Sequence, residues 1–240
     1  MHAPRGRWAP TPSGFLHVGN ARSALLAWLS IRSAGGRFLY RLEDLDPPRV
    51  LGGAAEQAED DLRWLGLDWD EGGGLDGPRG PYEQSRRSDR YESALGRLAA
   101  DGRLFPCHRT RRELRDIASA PHGPGGPAYP PRLRPAELEP DWYDAFVGTE
   151  PGEGAAALRF RVDPGVVTFR DGLFGECRQD VAAEVGDFVL KRRDGLYAYQ
   201  LAVIVDDLAM GVDEVVRGVD LLDSTARQIQ LIRALGGREP

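Results

Sequence analysis

The sequence predicts an α/β protein built on a doubly wound parallel sheet, with an α+β insertion in its middle. Three observations carry that reading. Strand-like and helix-like stretches alternate twice within the first 65 residues, the stretch from Ala120 to Pro135 is crowded with proline and glycine, and strand-like apolar segments resume at Phe188. The 240 residues suffice to bury a substantial core, and a composition of 41% hydrophobic and 28% charged residues excludes disordered and fibrous classes.

Arg7 to Ala9 reads as a short strand that ends in the loop Pro10-Thr11-Pro12-Ser13-Gly14. Ala21, Ala24, Leu25, Trp28 and Leu29 then recur at helical spacing until Gly35-Gly36 stops them. Arg37 to Leu42 alternates and is rich in β-formers, and Ala55, Ala58, Leu62 and Leu65 mark one face of a second helix. A helix near Asp89 to Ala100 leads to a strand at Leu104 to Cys107. Beyond the Pro/Gly-rich stretch, Ala156 to Val162 and Val166 to Arg170 read as strands around the turn Asp163-Pro164-Gly165. Parallel-sheet character resumes with Phe188 to Lys191, the apolar segment Tyr199 to Val205 and a strand at Glu214 to Gly218. The last helix carries a capping-box pair, Thr225 and Gln228, an apolar face of Ile229, Ile232 and Leu235, and a stop at Gly236. Residues 1–102 are therefore expected to form the first half of the sheet domain, 103–185 an inserted subdomain, and 186–240 the second half.

The net charge of −6 argues weakly against a protein covered in phosphate contacts. Arginine is nevertheless clustered, at Arg109, Arg111, Arg112 and Arg115 and at Arg192 and Arg193. Lys191 is the only lysine, so thirty of the 31 basic residues are arginine, which reads as nucleotide-composition bias rather than chemical demand. No apolar run approaches the roughly 20 residues of a membrane span, and the start lacks the apolar stretch of a signal peptide. Two cysteines, Cys107 and Cys177, are too few for a disulfide framework, and a cytoplasmic, monomeric protein is expected.

Chemistry starts at the first strand-loop-helix unit. A tight loop that feeds a helix presents unpaired backbone N–H groups and the positive end of the helix dipole, which suits a phosphate. There is no Walker or dinucleotide glycine fingerprint. In its place stands Gly14-Phe15-Leu16-His17-Val18-Gly19-Asn20, where an imidazole can donate to a phosphate oxygen and Gly19 allows close approach to the backbone. The alternative is that His17 simply caps the helix.

The run from Arg7 to Arg22 resembles the N-terminal signature of glutamyl-tRNA synthetases, and His17 to Asn20 looks like their HIGH motif. Arg41-Leu42-Glu43-Asp44-Leu45-Asp46 is similar to the next block of that family, and Tyr199 to Asp207, Val216-Arg217-Gly218 and Asp220 to Thr225 to a third. Asp46-Pro47-Pro48-Arg49 and Arg192 to Tyr199 resemble more closely a short paralogous group, the glutamyl-queuosine tRNA(Asp) synthetases. The resemblance implies a Rossmann-like class I aminoacyl-tRNA synthetase catalytic domain, and a ligase that activates L-glutamate with ATP and Mg²⁺ and transfers it to the queuosine base in the anticodon loop of tRNA(Asp). Two alternatives stay open: a catalytic fragment of a tRNA-charging glutamyl-tRNA synthetase, and a non-catalytic RNA-binding paralogue.

The same resemblance places His17, Gly19 and Asn20 at the catalytic ATP site. It places Arg7, Trp8, Ala9, Pro10, Thr11, Glu43, Tyr199 and Arg217 at the glutamate site, with Arg7 and Arg217 for carboxylates and Glu43 for the ammonium. Guanidinium forks suit a substrate with two carboxylates. The opposing reading makes Glu43 and Arg217 an ordinary ion pair and Tyr199 core packing. Asp206 and Asp207 are expected to be solvated and are left out of the site. Of the zinc ligands carried by many paralogues only Cys107 and Tyr129 remain, with Arg109 and Leu133 in the other positions, so no metal is expected unless His108 or His122 supplies a ligand. The family's lysine-containing K-x-S-K loop follows the last helix, and Lys191 is on a different element. Either residues beyond Pro240 carry that loop, which is the expectation, or the protein is a degenerate paralogue with weak activation.

Overall fold

The computed structural model describes residues 3–110, 112–114, 128–147, 149–150, 152 and 155–240. The chain divides into two compact units, Met1–Arg90 with Val205–Leu222 and Arg238–Pro240, and Tyr91–Ile204 with Asp223–Gly237. Residues 103–185 fall wholly within the second.

In the first unit, β1 (Arg5–Trp8) and β2 (Arg37–Tyr40) pair in parallel, Arg5 opposite Arg37 and Trp8 opposite Tyr40, and α1 (Val18–Ser33) makes the crossover between them. Single parallel bridges extend the arrangement on both sides, Gly6 with Glu214, Leu39 with Glu71 and Leu42 with Glu83. The parallel pairing expected of the sheet is thus present, but narrowly. The expected strand at Glu214 to Gly218 contributes one bridge, because Asp213 and Glu214 N–H both converge on the Arg5 carbonyl at 2.8 and 3.2 Å.

α1 buries Ala24, Ala27 and Ile31, whereas Leu25 and Leu29 of the expected face are 42% and 47% exposed. The reason is steric. Ile31 lies so close to Gly6 that a Cβ on Gly6 would overlap it, so the helix seats Ile31 where the strand has no side chain. Gly35, at φ 65°, lets the chain leave the helix. α2 (Ala54–Trp64) packs Ala58 and Leu62 into a core with Trp8, Phe38, Tyr40, Leu67 and Trp69. Trp8 meets Tyr40 edge-on at 5.5 Å, and Tyr40 in turn lies 5.4 Å from Trp69. α3 (Ser88–Ala100) runs across the division between the units.

In the second unit, β3 (Leu104–Cys107), β4 (Ala157–Phe160) and β7 (Phe188–Lys191) form an antiparallel sheet in the order β3-β4-β7. This corrects the placement of Phe188 to Lys191 in a parallel sheet: a four-residue apolar run specifies a strand but not its partner. β5 (Val166–Asp171) and β6 (Gly175–Asp180) make a hairpin of their own. β4 and β5 therefore do not pair around Asp163. Arg103 grips both carboxylate oxygens of Asp163, and Gln230 accepts from its N–H at 3.0 Å, so the turn is anchored elsewhere.

Short helices α4 (Trp142–Val147) and α5 (Val181–Glu184) precede α6 (Tyr199–Met210), which crosses the division, and α7 (Thr225–Ala234). The apolar face of α7 is as expected, and the N-cap makes no side-chain cap hydrogen bond. Ser224 is that N-cap, and Gln228 donates to Gln200, which donates to Ser224 Oγ. Among the described residues no helix is long and apolar enough to cross a membrane.

The Gly6 contact makes a test. Gly6→Ala forces a methyl against Ile31 and is expected to destabilise the protein by roughly 1–3 kcal/mol, measured as a lower urea midpoint at unchanged slope.

Candidate active site

The loop after β1 is fixed by the segment after β2. Arg41 N–H donates to the Trp8 carbonyl at 3.0 Å, Glu43 N–H to Pro10 at 2.9 Å and Leu51 N–H to Pro12 at 2.8 Å. Arg7 at the end of the strand and Glu43 beyond its neighbour are thereby brought together, as the sequence blocks imply. Trp8 is core, Ala9 and Pro10 are half-buried, and Thr11 is exposed.

His17 is the N-cap of α1, with φ −113° and ψ 169°. Its Nδ1 accepts the Gly19 N–H at 3.0 Å, while its own N–H donates to Asn20 Oδ1 at 3.3 Å, closing a capping box. Capping and phosphate binding are therefore compatible readings of His17. Because Nδ1 accepts, the neutral ring carries its proton on Nε2, and the ring itself is exposed. Gly19 has a local reason to be glycine as well: a Cβ there would lie 2.8 Å from His17 Cε1 and push the imidazole out of its cap. Asn20 is committed to the cap.

Behind the loop lies a set of buried charges. Arg41 is wholly enclosed; it donates from Nη1 to Asp207 Oδ1 at 2.5 Å and from Nη2 to Glu43 Oε1 at 3.2 Å, and its Nε is 3.9 Å from Asp206. Arg87, also enclosed, donates from Nε to Asp206 Oδ1 at 2.5 Å, and Gln84 donates to Asp206 Oδ2 at 2.8 Å. Arg7, whose side chain is 5% exposed, donates from Nε to Asp207 Oδ1 at 3.3 Å. Its terminal amino groups make no hydrogen bond to protein among the described residues. Burial pushes the Glu43 carboxyl up, against the pull of Arg41 and Arg7. At Asp207 burial acts the same way, but the Arg41 and Arg7 guanidinium groups outweigh it and hold the carboxyl below the ordinary range.

Asp206 and Asp207 are thus buried network members, not the solvated pair expected. Arg41, Gln84 and Arg87 were missed with them. The available signal was the acidic pair inside an otherwise apolar helix, followed at once by Leu208, Ala209 and Met210. Arg217 is half-buried in the extended segment after Glu214, in the same unit as Arg7 and Glu43. Tyr199 opens α6 and belongs to the second unit.

The two positions that resemble zinc ligands lie side by side. Cys107 and Tyr129 pack in an apolar cluster with Phe105, against Leu114, Leu133 and Leu138. Tyr129 Oη lies 3.7 Å from Cys107 Sγ and donates to the Leu133 carbonyl at 3.1 Å, and burial, reinforced by Cys107, pushes its phenol up, away from the phenolate a metal would need. No group of three or more metal-ligating side chains occurs among the described residues. His108 is exposed, and His122, like Arg111 and Arg115, lies outside the described residues. Purified protein is expected to contain well under one zinc per chain by elemental analysis, with a melting temperature unchanged by chelator, since structural zinc contributes folding free energy directly.

Residues 4–240 match the family described as tRNA synthetases class I (E and Q), catalytic domain. The glutamyl-Q tRNA(Asp) synthetase of Symbiobacterium thermophilum is 55% identical over 237 residues, 98% of this chain and 72% of that protein. Its counterpart in Nitratidesulfovibrio vulgaris is 50% identical over the same shares. The crystal structure of a glutamate-tRNA synthetase from Elizabethkingia anophelis superposes with a TM-score of 0.85 at 29% identity, covering all of this chain and 49% of that one. A glutamate tRNA ligase from Elizabethkingia meningosepticum, in complex with its amino acid, gives 0.83 at 28% identity, and the chain spans 48% of its length. The chain belongs to the class I glutamyl- and glutaminyl-type tRNA synthetase catalytic domains, a family of ligases, and within it to the glutamyl-Q tRNA(Asp) synthetases.

Proposed function

We propose that the chain activates L-glutamate with ATP, as its Mg²⁺ complex, to glutamyl-adenylate and transfers the glutamate to the queuosine base in the anticodon loop of tRNA(Asp). One observation carries the first half. Arg7 is a buried guanidinium whose inner edge is taken by Asp207 and whose terminal groups are left to a ligand, beside Glu43, a carboxylate held by Arg41. A buried fork next to a buried carboxylate is complementary to an amino acid that brings its own carboxylates and an ammonium. Arg217 supplies the second guanidinium and Tyr199 an orienting hydroxyl in this reading.

The glutamate carboxylate attacks the α-phosphorus in line and pyrophosphate leaves. Catalysis of this kind is positioning and charge stabilisation. His17 donates from Nε2 to the phosphate oxygens, and the first turn of α1 adds its backbone N–H groups. No covalent enzyme intermediate is needed. The acyl group then passes to a hydroxyl of the nucleic acid, which loses its proton as AMP leaves. The relatives named for glutamyl-Q tRNA(Asp) favour the anticodon base as acceptor, and the exposed Arg109 and Arg112 suit contacts to the loop's backbone.

Glutamate-dependent pyrophosphate exchange tests the first step. Arg217→Ala is expected to abolish it while ATP binding, followed by calorimetry, stays within a few-fold, because a substrate carboxylate desolvated without its partner costs several kcal/mol, about 2–5. The second step is tested with labelled glutamate. Transfer is expected to queuosine-containing tRNA(Asp) and to its isolated anticodon stem-loop, unaffected by periodate oxidation of the terminal ribose. Charging of tRNA(Glu) at its terminal adenosine, independent of queuosine, would instead establish a tRNA-charging synthetase.

A further inference from the structure

The two acidic residues near the end of α6 divide the buried arginines between them. Asp206 takes Arg87 and Gln84 and stands 3.9 Å from Arg41 Nε. Asp207 takes Arg41 and Arg7, and does so through a single oxygen, Oδ1. Arg41 passes the constraint on, since its other terminal nitrogen holds Glu43. One carboxylate oxygen therefore touches the cation proposed to receive a substrate carboxylate, and reaches through one guanidinium to the anion proposed to receive the ammonium.

An arginine bound at Nε has the plane of its guanidinium fixed, and with it the direction in which the terminal fork points. Arg7 is bound at Nε and open at its fork. We propose that Asp207 is the positioning residue of the glutamate pocket: it aims Arg7 at the substrate carboxylate and, through Arg41, holds Glu43 for the ammonium. This rests on the reading of Arg7 and Glu43 as glutamate ligands. The charge of Asp207 matters as much as its shape, because Arg41 is enclosed and a neutral partner would leave its charge less compensated.

Asp207→Ala risks the fold, so the test uses Asp207→Asn, which keeps volume and one acceptor oxygen, together with Arg7→Lys and the double variant in the full chain. In glutamate-dependent pyrophosphate exchange, Asp207→Asn is expected to raise the KM for glutamate by ~10-fold or more, as loss of a charge-assisted contact implies, while the KM for ATP stays within about twofold. The double variant is expected to lose clearly less than the product of the two single losses, since part of what Asp207 does passes through Arg7. Multiplication of the two losses would mean that Asp207 acts on the fold at large and would overturn the proposal.

A second measurement does not depend on turnover. The arginine Nε–H resonances of Arg7 and Arg87, assigned with Arg7→Lys and Arg87→Lys, are expected to exchange slowly with solvent in the parent protein. Asp207→Asn is expected to release the Arg7 signal and leave that of Arg87 protected. Retention of Arg7 protection, or loss of both together, overturns the proposal even if glutamate proves not to be the substrate. Absence of glutamate exchange in the parent with the Arg7 signal selectively released would fault the substrate reading and leave the positioning role standing.

Discussion

The pairing of Arg41 with Asp207 is the constraint on which the first unit is built. A guanidinium taken wholly out of water costs several kcal/mol unless carboxylates surround it. Arg41 is placed there by the short run that follows β2, and Asp207 by a helix 166 positions further on. Neither segment tolerates displacement alone, because each would strand a buried charge, a loss of roughly 3–5 kcal/mol when one partner of such a pair is removed. The chain that continues from β2 is thus clamped against α6, and its backbone N–H groups hold the loop after β1 in turn. Arg7 and Glu43 inherit their positions from this clamp.

A second buried carboxylate repeats the device at the start of β1. Glu71 receives both contacts from Arg5 Nη2 at 2.9 Å and the Tyr82 hydroxyl at 2.6 Å, and Arg5 Nε donates to the Met210 carbonyl at 2.9 Å. Burial, with the Glu71 carboxylate beside it, pushes the Tyr82 phenol up to about 12, so it serves as a donor at every physiological pH. Met210 is thereby tied to β1 by its carbonyl while its side chain packs with Leu39, Tyr82 and Val212. Alternate residues of one four-residue strand, Arg5 and Arg7, reach the end of α6 by different routes, one to a main-chain carbonyl and one to a carboxylate. A strand so short gains little from its own ladder and is held by these side chains.

Elements with strong local signals were legible in the sequence. The three helices before residue 101, the strand at Leu104 and the glycine stops at Gly35 and Gly236 rest on periodicity and on residues that only certain backbone conformations accept. What failed depended on partners distant in sequence. The buried face of α1 is set by the closeness of Gly6, and the partner of β7 by β4. In the candidate site, Arg7, Glu43 and His17 were singled out through ordered blocks. Asp206 and Asp207 were misjudged because an acidic pair on a helix looks the same whether water or arginine lies opposite.

The arginine-rich composition also takes on a different meaning at depth. Taken as a whole, thirty arginines to one lysine read as a bias of the coding sequence. At Arg41 the choice is chemical: two terminal nitrogens serve two different carboxylates while Nε faces a third, a division that a single ammonium on a flexible stem cannot hold in one plane. Arg5 engages a carbonyl and a carboxylate at once, and Arg87 a carboxylate and two carbonyls. Lys191, by contrast, sits where a point charge suffices, against Glu92 with the rings of Phe146 and Tyr197 nearby. Compositional bias can account for arginine on the surface, but in the interior the fork geometry is what lets so many charges be buried in balance, and an enclosed set of this kind presents a charged substrate with partners already in place.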